Sequence, residues 1–280
     1  MEPIISIITI NFNNINGLKK TLRSVETQMG DIHYEHIIID GGSTDGSAEL
    51  INEYKEKNYQ CSYAISEKDN GIYNAMNKGI DHAQGKYLLF LNSGDYLYNN
   101  SILAQVIPYF TGEDLIYGNL LLSDGNEIHY PEPPFTASYI TSDEFYLPHP
   151  GTFINARLFS EKRYDENLKI ASDWKFWIQC IIFDNCSLKH LPLVISVFDI
   201  NGISNKKAGT GAAERKQILH ELFGEKTIED LKLLNNLKMA PLYHIFNESA
   251  DDKKFQKAAK IFLMIPYKLR QLWKNRHNDK

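Results

Sequence analysis

Cysteine is scarce in this chain: Cys61, Cys180 and Cys186 are the only three in 280 residues, and no two form a Cys-x-x-Cys pair. An odd, scattered set argues against a disulfide framework and favours a reducing compartment. No apolar run reaches the length of a membrane span. The run from Ile4 to Ile10 is too short for a signal peptide and has an acidic residue, Glu2, where a basic flank is needed. Low-complexity stretches and internal repeats are also missing. The Gly-x-Gly-x-x-Gly fingerprint of dinucleotide binding is absent after the first apolar run, where the loop reads Asn11-Phe12-Asn13-Asn14. The Gly41-Gly42…Gly46 turn follows the second run at a different spacing, so NAD and FAD are disfavoured. No Walker A lysine segment exists, which excludes a P-loop NTPase. Positive charge is short overall, with a net charge of −5. Residues 251–280 hold nine Lys/Arg against three Asp, a net +6, which leaves −11 for the rest. The body is therefore a poor nucleic-acid binder, and only the tail is basic.

What is present fits a soluble globular chain of one large domain, or a domain with an appendage. The first half alternates strand and helix patterns. Ile4–Ile10, Tyr34–Ile39, Cys61–Ile65, Lys86–Leu91 and Leu115–Tyr117 read as strands. Between them, apolar residues recur at helical spacing: Leu18, Leu22 and Val25; Leu50, Ile51 and Tyr54; Ile72, Met76 and Ile80; Ile102, Val106 and Tyr109. Such alternation predicts an α/β fold, a mostly parallel sheet with helices on both faces. From about residue 119 the pattern changes. Asp124-Gly125-Asn126 predicts a hairpin turn between Asn119–Leu122 and Glu127–Tyr130. A proline-rich loop follows, then a helix carrying Trp174, Trp177, Ile178 and Ile181, then a strand over Leu193–Phe198. From about 210 the chain reads as helical.

Polar residues cluster just past the predicted strand ends. Asp40 follows Ile37-Ile38-Ile39, Asp69 follows Tyr63–Ser66 at a short distance, and Asp95 closes the loop Asn92-Ser93-Gly94-Asp95 after Leu88–Leu91. The loop at Asn11, Phe12 and Asn13 joins them. In a parallel sheet these ends share one edge, where open α/β sheets bind ligands. Each has an ordinary reading as well. Asn, Ser, Gly and Asp are common turn residues, Asp69-Asn70-Gly71 suits a helix entry, and Asn13 or Asn16 suits a helix N-cap. Together they suit a nucleotide. Carboxylates accept hydrogen bonds from ribose or base, Phe12 offers a face to the base, and a cation on Asp95 screens a diphosphate.

Five segments resemble the family 2 glycosyltransferases of the GT-A fold. They are Ser6–Asn13, Ile39–Gly46, Ser66–Gly79 (with Asp69-Asn70-Gly71 and Asn74-Ala75-Met76-Asn77), Phe90–Asp95 and Ala171-Ser172-Asp173-Trp174. The resemblance covers about residues 1–205 and is strongest to bacterial enzymes that build capsule, exopolysaccharide or O-antigen. It implies a GT-A domain over 1–205, with a nucleotide-binding half at 1–118 and an acceptor half at 119–205. A helical region over 206–280 would follow. It further implies a hexosyltransferase-type enzyme using a UDP- or GDP-linked sugar, Mg²⁺ or Mn²⁺, and a glycan or lipid-linked acceptor. Asn11, Phe12, Asn13, Asp40, Asp69 and Asn92 would bind the nucleotide-sugar. Asp95 matches the last acid of the family's DxD-like segment and would bind the metal. Two departures stand out: Gly94 replaces a frequent second Asp, leaving fewer carboxylates for the metal, and Asn74 replaces another.

By the same resemblance Asp173 would be the general base for the acceptor hydroxyl, the one base that inverting transfer needs. Its aromatic neighbours would partly desolvate it. Ser172 or Asp173 equally suits a helix N-cap. His149, in Leu147–Phe153, would touch the diphosphate, metal or acceptor, or else simply stack in a loop. Asn201-Gly202-Ile203-Ser204 resembles a loop that closes over the donor, and also an ordinary glycine turn. In the tail, Phe255, Ala258, Phe262, Pro266, Leu269 and Trp273 recur at helical spacing among eight Lys/Arg between 253 and 276. That pattern suits an anionic membrane surface, or a helix packed on the body with a solvated basic face and a kink at Pro266. The sequence thus points to an inverting, metal-dependent transferase acting in the cytoplasm, peripheral to the inner face of the plasma membrane. A catalytically silent nucleotide-sugar-binding or scaffold protein is the alternative. A nucleotidyltransferase is another, disfavoured because the first loop lacks a Gly-rich, basic pattern.

Overall fold

The computed structural model describes residues 2–142, 145–200, 208–240 and 242–278. Two compact units are present, Met1–Gly224 and Glu225–Lys280.

The first unit is built on one nine-stranded sheet. β1 (Ile5–Asn11) and β2 (Tyr34–Asp40) are buried along their whole length. This explains their unbroken β-branched runs, because a strand covered on both faces has no polar side. β3 (Cys61–Ser66) flanks β2 at the sheet edge and is half-buried. β4 (Tyr87–Phe90) lies on the other side of β1. These four strands are parallel, and the register aligns Asn11 with Asp40 and Asp40 with Ser66. The crossovers between them are helical: α1 (Ile15–Glu26), α2 (Ser47–Lys57) and α3 (Ile72–His82). Successive β1 side chains reach opposite faces. Ile8 and Ile10 pack with Tyr73 and Met76 of α3, while Ile5 and Ile7 pack with Val25 of α1.

Beyond β4 the sheet becomes mixed. β5 (Tyr96–Leu97) and α4 (Ile102–Val106) lead into β6 (Leu115–Leu122), which runs through Gly118 as one strand and turns at Asp124-Gly125 into β7 (Glu127–Ile128). A short α5 (Ala137–Ile140) precedes β8 (Thr152–Asn155), which pairs antiparallel with both β4 and β6. α6 (Ser172–Ile178) continues into a single π turn at Gln179–Phe183. β9 (Leu188–Phe198) then runs parallel to β6 and antiparallel to β5. The parallel character expected from the sequence holds for β1–β4. The insertion of β8 between β4 and β6 makes the rest of the sheet mixed. β9 brings its end back to the loop after β4, and this closes the site.

α7 (Ala208–Leu222) belongs to the first unit, with Ile218 buried in its main core. The second unit is helical among its described residues: α8 (Glu225–Lys238), α9 (Tyr243–Glu248) and α10 (Lys253–Asn278). α10 runs through Pro266 as one helix. No described helix is long and apolar enough to cross a membrane.

Candidate active site

Residues from the ends of β1, β2 and β3 form the first part of the site. Asp40 is wholly buried, and its carboxylate is fully engaged. Oδ1 accepts from the Asn11 amide (2.6 Å) and the Ser43 hydroxyl (2.6 Å). Oδ2 accepts from the Ser43 backbone N–H (2.9 Å) and the Ser66 hydroxyl (2.6 Å). Burial alone would raise its pKa, but the hydrogen bonds from Ser43, Ser66 and Asn11 prevail and hold it below the ordinary carboxylate value. With its lone-pair directions occupied, Asp40 fixes the loops around it rather than offering a free oxygen. Asn11 is buried too, and its amide oxygen has no protein partner.

Asn13 is in the left-handed region at φ +48°. Its N–H donates to Ser43 Oγ (2.7 Å), and its side-chain oxygen accepts from the Thr44 N–H (2.9 Å). The N-cap of α1 is Asn14, which accepts from the Gly17 N–H, rather than Asn13 or Asn16. Phe12 stands 60 % exposed. Gly41 is where Phe12 and Asp69 converge: a Cβ there would lie 2.5 Å from Asp69 Oδ2 and 3.2 Å from the Phe12 ring. An exposed aromatic face and a carboxylate therefore flank one glycine at the sheet edge. The Asn14 amide donates to the Ser93 carbonyl (2.9 Å), tying this loop to the one after β4.

The second part is a cavity of about 360 Å³ whose lining includes Asn92, Asp95, His149 and Asp173, with Phe145, Tyr146, Trp174 and Trp177 as aromatic walls. Asp95 ends the loop after β4 and directly precedes β5. Thr21 of α1 holds its backbone, donating to the Asp95 carbonyl (2.7 Å) and accepting from the Gly94 N–H (3.0 Å). Asp95 Oδ1 accepts the N–H of Asp199, the residue just past β9 (2.9 Å). Burial pushes the Asp95 carboxyl up to about 7; the Asp199 N–H opposes this and the Asp199 charge adds to it. Gly94 has φ +111°, and a Cβ on it would stand 3.1 Å from Asp199 Oδ2. A second carboxylate thus comes close to Asp95 from β9. Asn92 presents a side-chain oxygen without a protein partner.

Asp173 is the second residue of α6, and its cap position is Ala171, so neither Ser172 nor Asp173 is the N-cap. Ser172 instead accepts the Asp165 N–H through its hydroxyl (2.5 Å). The Tyr73 hydroxyl of α3 lies 2.6 Å from the Ile170 carbonyl and 3.2 Å from Asp173 Oδ1, its one hydrogen shared between them. His149 Nδ1 is 3.8 Å from Asp173 Oδ2, and His149 Nε2 is 2.9 Å from the Tyr164 hydroxyl. Phe90, Tyr164 and Trp177 pack around the imidazole. Burial lowers the His149 pKa against the opposing pull of Asp173, which favours the neutral ring.

The expected residues therefore fall into two adjoining groups. Asn92, Asp95, His149 and Asp173 share the cavity, while Asn11, Phe12, Asn13, Asp40 and Asp69 occupy the neighbouring strand ends. Asn201–Ser204 lies outside the described residues. Asp199, Tyr73 and Arg215, which lines the cavity from α7, were not legible as site residues. For Asp199 a signal existed, since it obeys the same strand-end pattern as Asp40 and Asp95. Among the described residues, no three His, Cys, Asp or Glu side chains cluster closely enough to hold a metal by themselves.

A sheet of this topology with its acids along one edge is that of a GT-A glycosyltransferase. Residues 6–171 match the family described as Glycosyl transferase family 2, and the chain belongs to that family. An uncharacterised glycosyltransferase of Mycobacterium tuberculosis H37Rv is 31% identical over 211 residues, covering 73% of this chain and 78% of its own. The PGL/p-HBAD biosynthesis glycosyltransferase of Mycobacterium bovis is 30% identical over 217 residues, covering 72% and 80%. Among solved structures, a mannosyltransferase of Pyrobaculum calidifontis in complex with GDP-Man and Mn2+ has a TM-score of 0.61 at 14% identity, covering 96% of this chain and 83% of that one. Staphylococcus aureus TarS 1–349 in complex with UDP has a TM-score of 0.59 at 19% identity and covers 71% of this chain. This chain spans about 60% of that TarS fragment. The protein is a glycosyltransferase.

Proposed function

We propose that this enzyme moves a hexose from a UDP- or GDP-sugar, with inversion, to a hydroxyl of a glycan or lipid-linked acceptor in bacterial surface polysaccharide synthesis. The observation that carries this reading is that Asp95 and Asp173 line the same cavity. Asp173 takes the proton of the acceptor hydroxyl as that oxygen attacks the anomeric carbon. The bond to the diphosphate oxygen breaks on the opposite face, and the nucleoside diphosphate leaves with the bonding pair. Tyr73 holds the Asp173 carboxylate in place, with the neutral His149 ring beside it. Phe12, Asn13 and Asp69 face the nucleoside, and Asp40 with Asn11 orders their loops.

Mg²⁺ or Mn²⁺ fits the donor set only in part. Asp95 and Asp199 offer two carboxylates close together, and a cation there would offset the desolvation that pushes Asp95 up to about 7. Asn92 adds an unpartnered oxygen, and the His149 ring lines the same cavity. Asp95 and Asp199 would hold the ion, with the diphosphate supplying further oxygens; the ion would act as a Lewis acid for the leaving group.

The test is nucleoside-diphosphate release from UDP-Glc, UDP-Gal, UDP-GlcNAc and GDP-Man with Mn²⁺, using octyl β-glucoside as a probe acceptor. Asp173→Asn is expected to lower turnover by about 10²- to 10⁴-fold, the range for a lost general base, with nucleotide binding unchanged. An Asp173→Asn enzyme of normal kcat overturns the mechanism. The basic helix α10 is proposed to rest on the inner face of the plasma membrane, which would place the enzyme beside a lipid-linked acceptor.

A further inference from the structure

The family match ends at residue 171, but the chain that shapes the cavity does not. One face of α7 lies across the entry to α6. Glu214 Oε1 accepts the backbone N–H of Lys169 (2.8 Å), and Oε2 accepts those of Ile170 and Ala171 (2.9 Å each). A carboxylate taking three successive backbone donors fixes a short segment firmly, because charge-assisted bonds are about twice as strong as neutral ones. Ala171 is the cap position of α6 and has no side chain able to cap. Its donor is satisfied from 43 residues further along the chain.

The rest of that face supports the grip. Gly211 permits the approach, since a Cβ there would stand 3.3 Å from Ile170 Cγ2. Arg215 sits 4.9 Å over the Trp174 ring, and Glu221 bonds Lys175 (2.6 Å). Ile170 connects the grip to the chemistry. Its carbonyl accepts from the Tyr73 hydroxyl, which also reaches Asp173 Oδ1. Moving residues 169–171 therefore disturbs the Tyr73 bond and the Asp173 carboxylate together.

We propose that Glu214 is a positioning residue for Asp173, holding residues 169–171 so that the carboxylate faces the acceptor hydroxyl. This rests on the reading of Asp173 as the general base. In Glu214→Gln one oxygen becomes an NH₂ that faces a backbone N–H, so the segment is released without loss of side-chain volume. The test uses the full chain, Mn²⁺, octyl β-glucoside and whichever of the four donors above the wild type turns over. Glu214→Gln is expected to lower kcat tenfold or more, with donor KM and the Kd of the matching nucleoside diphosphate within twofold. In an Asp173→Asn background, read over hours by mass spectrometry of the product, the same change is expected to cost less than twofold.

A purely structural Glu214 would cost the same in both backgrounds, and that result overturns the proposal. So does a raised donor KM with kcat intact. If Glu214→Gln does not fold, Glu214→Asp carries the same comparison, because it keeps both oxygens but withdraws them by one methylene. Failure of the underlying reading is separable: there Asp173→Asn alone leaves kcat unchanged.

Discussion

His36 is a titratable ring sealed inside the sheet. It is fully buried between Thr9 Oγ1 (2.9 Å) and the Tyr54 hydroxyl (3.0 Å), and burial pushes its pKa down to about 3. Between pH 6.5 and 3 the unfolded chain binds a proton at this site that the native chain does not. Stability is therefore fully present above pH 6.5 and falls as the solution is acidified through that window. At about 1.4 kcal/mol per pKa unit, the loss from this group approaches about 4–5 kcal/mol at the acid end. His36→Gln is expected to flatten the slope of unfolding free energy against pH by about one proton over that range, read from urea melts. Parallel curves for the two proteins would refute the assignment. Gly41 tests the nucleotide end. An Ala there meets Asp69 and Phe12, whose side chains stand at the surface and have to move aside to relieve the overlap. Gly41→Ala is expected to weaken UDP or GDP binding about tenfold by calorimetry, while the melting temperature changes little. Unchanged affinity would remove Asp69 and Phe12 from the nucleotide site. Single residues were partly legible in advance. Asp95 and Asp173 stood in recognisable segments and share the cavity. Asp40 was read as a ligand-facing acid, yet its oxygens are consumed by Asn11, Ser43 and Ser66, partners that no local pattern announces.

At the scale of elements, α3 shows how a helix is placed against the sheet. Gly79 faces β1 so closely that a Cβ would run into Ile8 Cγ2. Replacing Gly by Ala inside a helix normally gains about 1 kcal/mol of helix propensity. Here the overlap costs about 1–3 kcal/mol, so Gly79→Ala is expected to be net destabilising. Its urea midpoint should fall with the m-value unchanged; a raised midpoint would mean that α3 slides freely on β1. The longer helices and the long buried strands were legible because their periodicities, 3.6 and continuous, are strong over seven or more residues; α5, with four residues, was not. β5 and β8 were not, because two and four residues carry too little pattern. β6 was read as two pieces because Gly118 interrupts its apolar run, although the backbone continues through. The mixed half of the sheet follows from β8, and its pairing with β4 and β6 is a tertiary choice that neighbouring residues do not encode.

Across the whole molecule the decisive property is the division of charge. Residues 251–280 carry a net +6 and the remainder −11. α10 combines that charge with exposed apolar side chains: Phe255, Ile261, Phe262, Ile265, Leu269 and Trp273 are all open to solvent. On a 3.6-residue period these six fall within one broad face; Lys253, Lys257, Lys260, Lys268 and Arg270 fall outside it, while Lys254 and Arg276 fall within it. A helix so built gains from both parts of an anionic bilayer. On such a surface its apolar face would enter the headgroup boundary, and each basic residue near the surface would add about 1 kcal/mol. The full-length protein is expected to co-sediment with phosphatidylglycerol-containing vesicles, and far less with pure phosphatidylcholine. Binding should fall on raising the salt, because the Debye length shortens from about 10 Å at 0.1 M to about 3 Å at 1 M. A chain ending at residue 250 should lose vesicle binding, while its turnover of a soluble octyl glycoside stays near that of the full chain. If the shortened chain sediments as well as the intact one, α10 is not the membrane contact. If it loses both binding and soluble turnover, the helix serves the catalytic unit rather than the lipid.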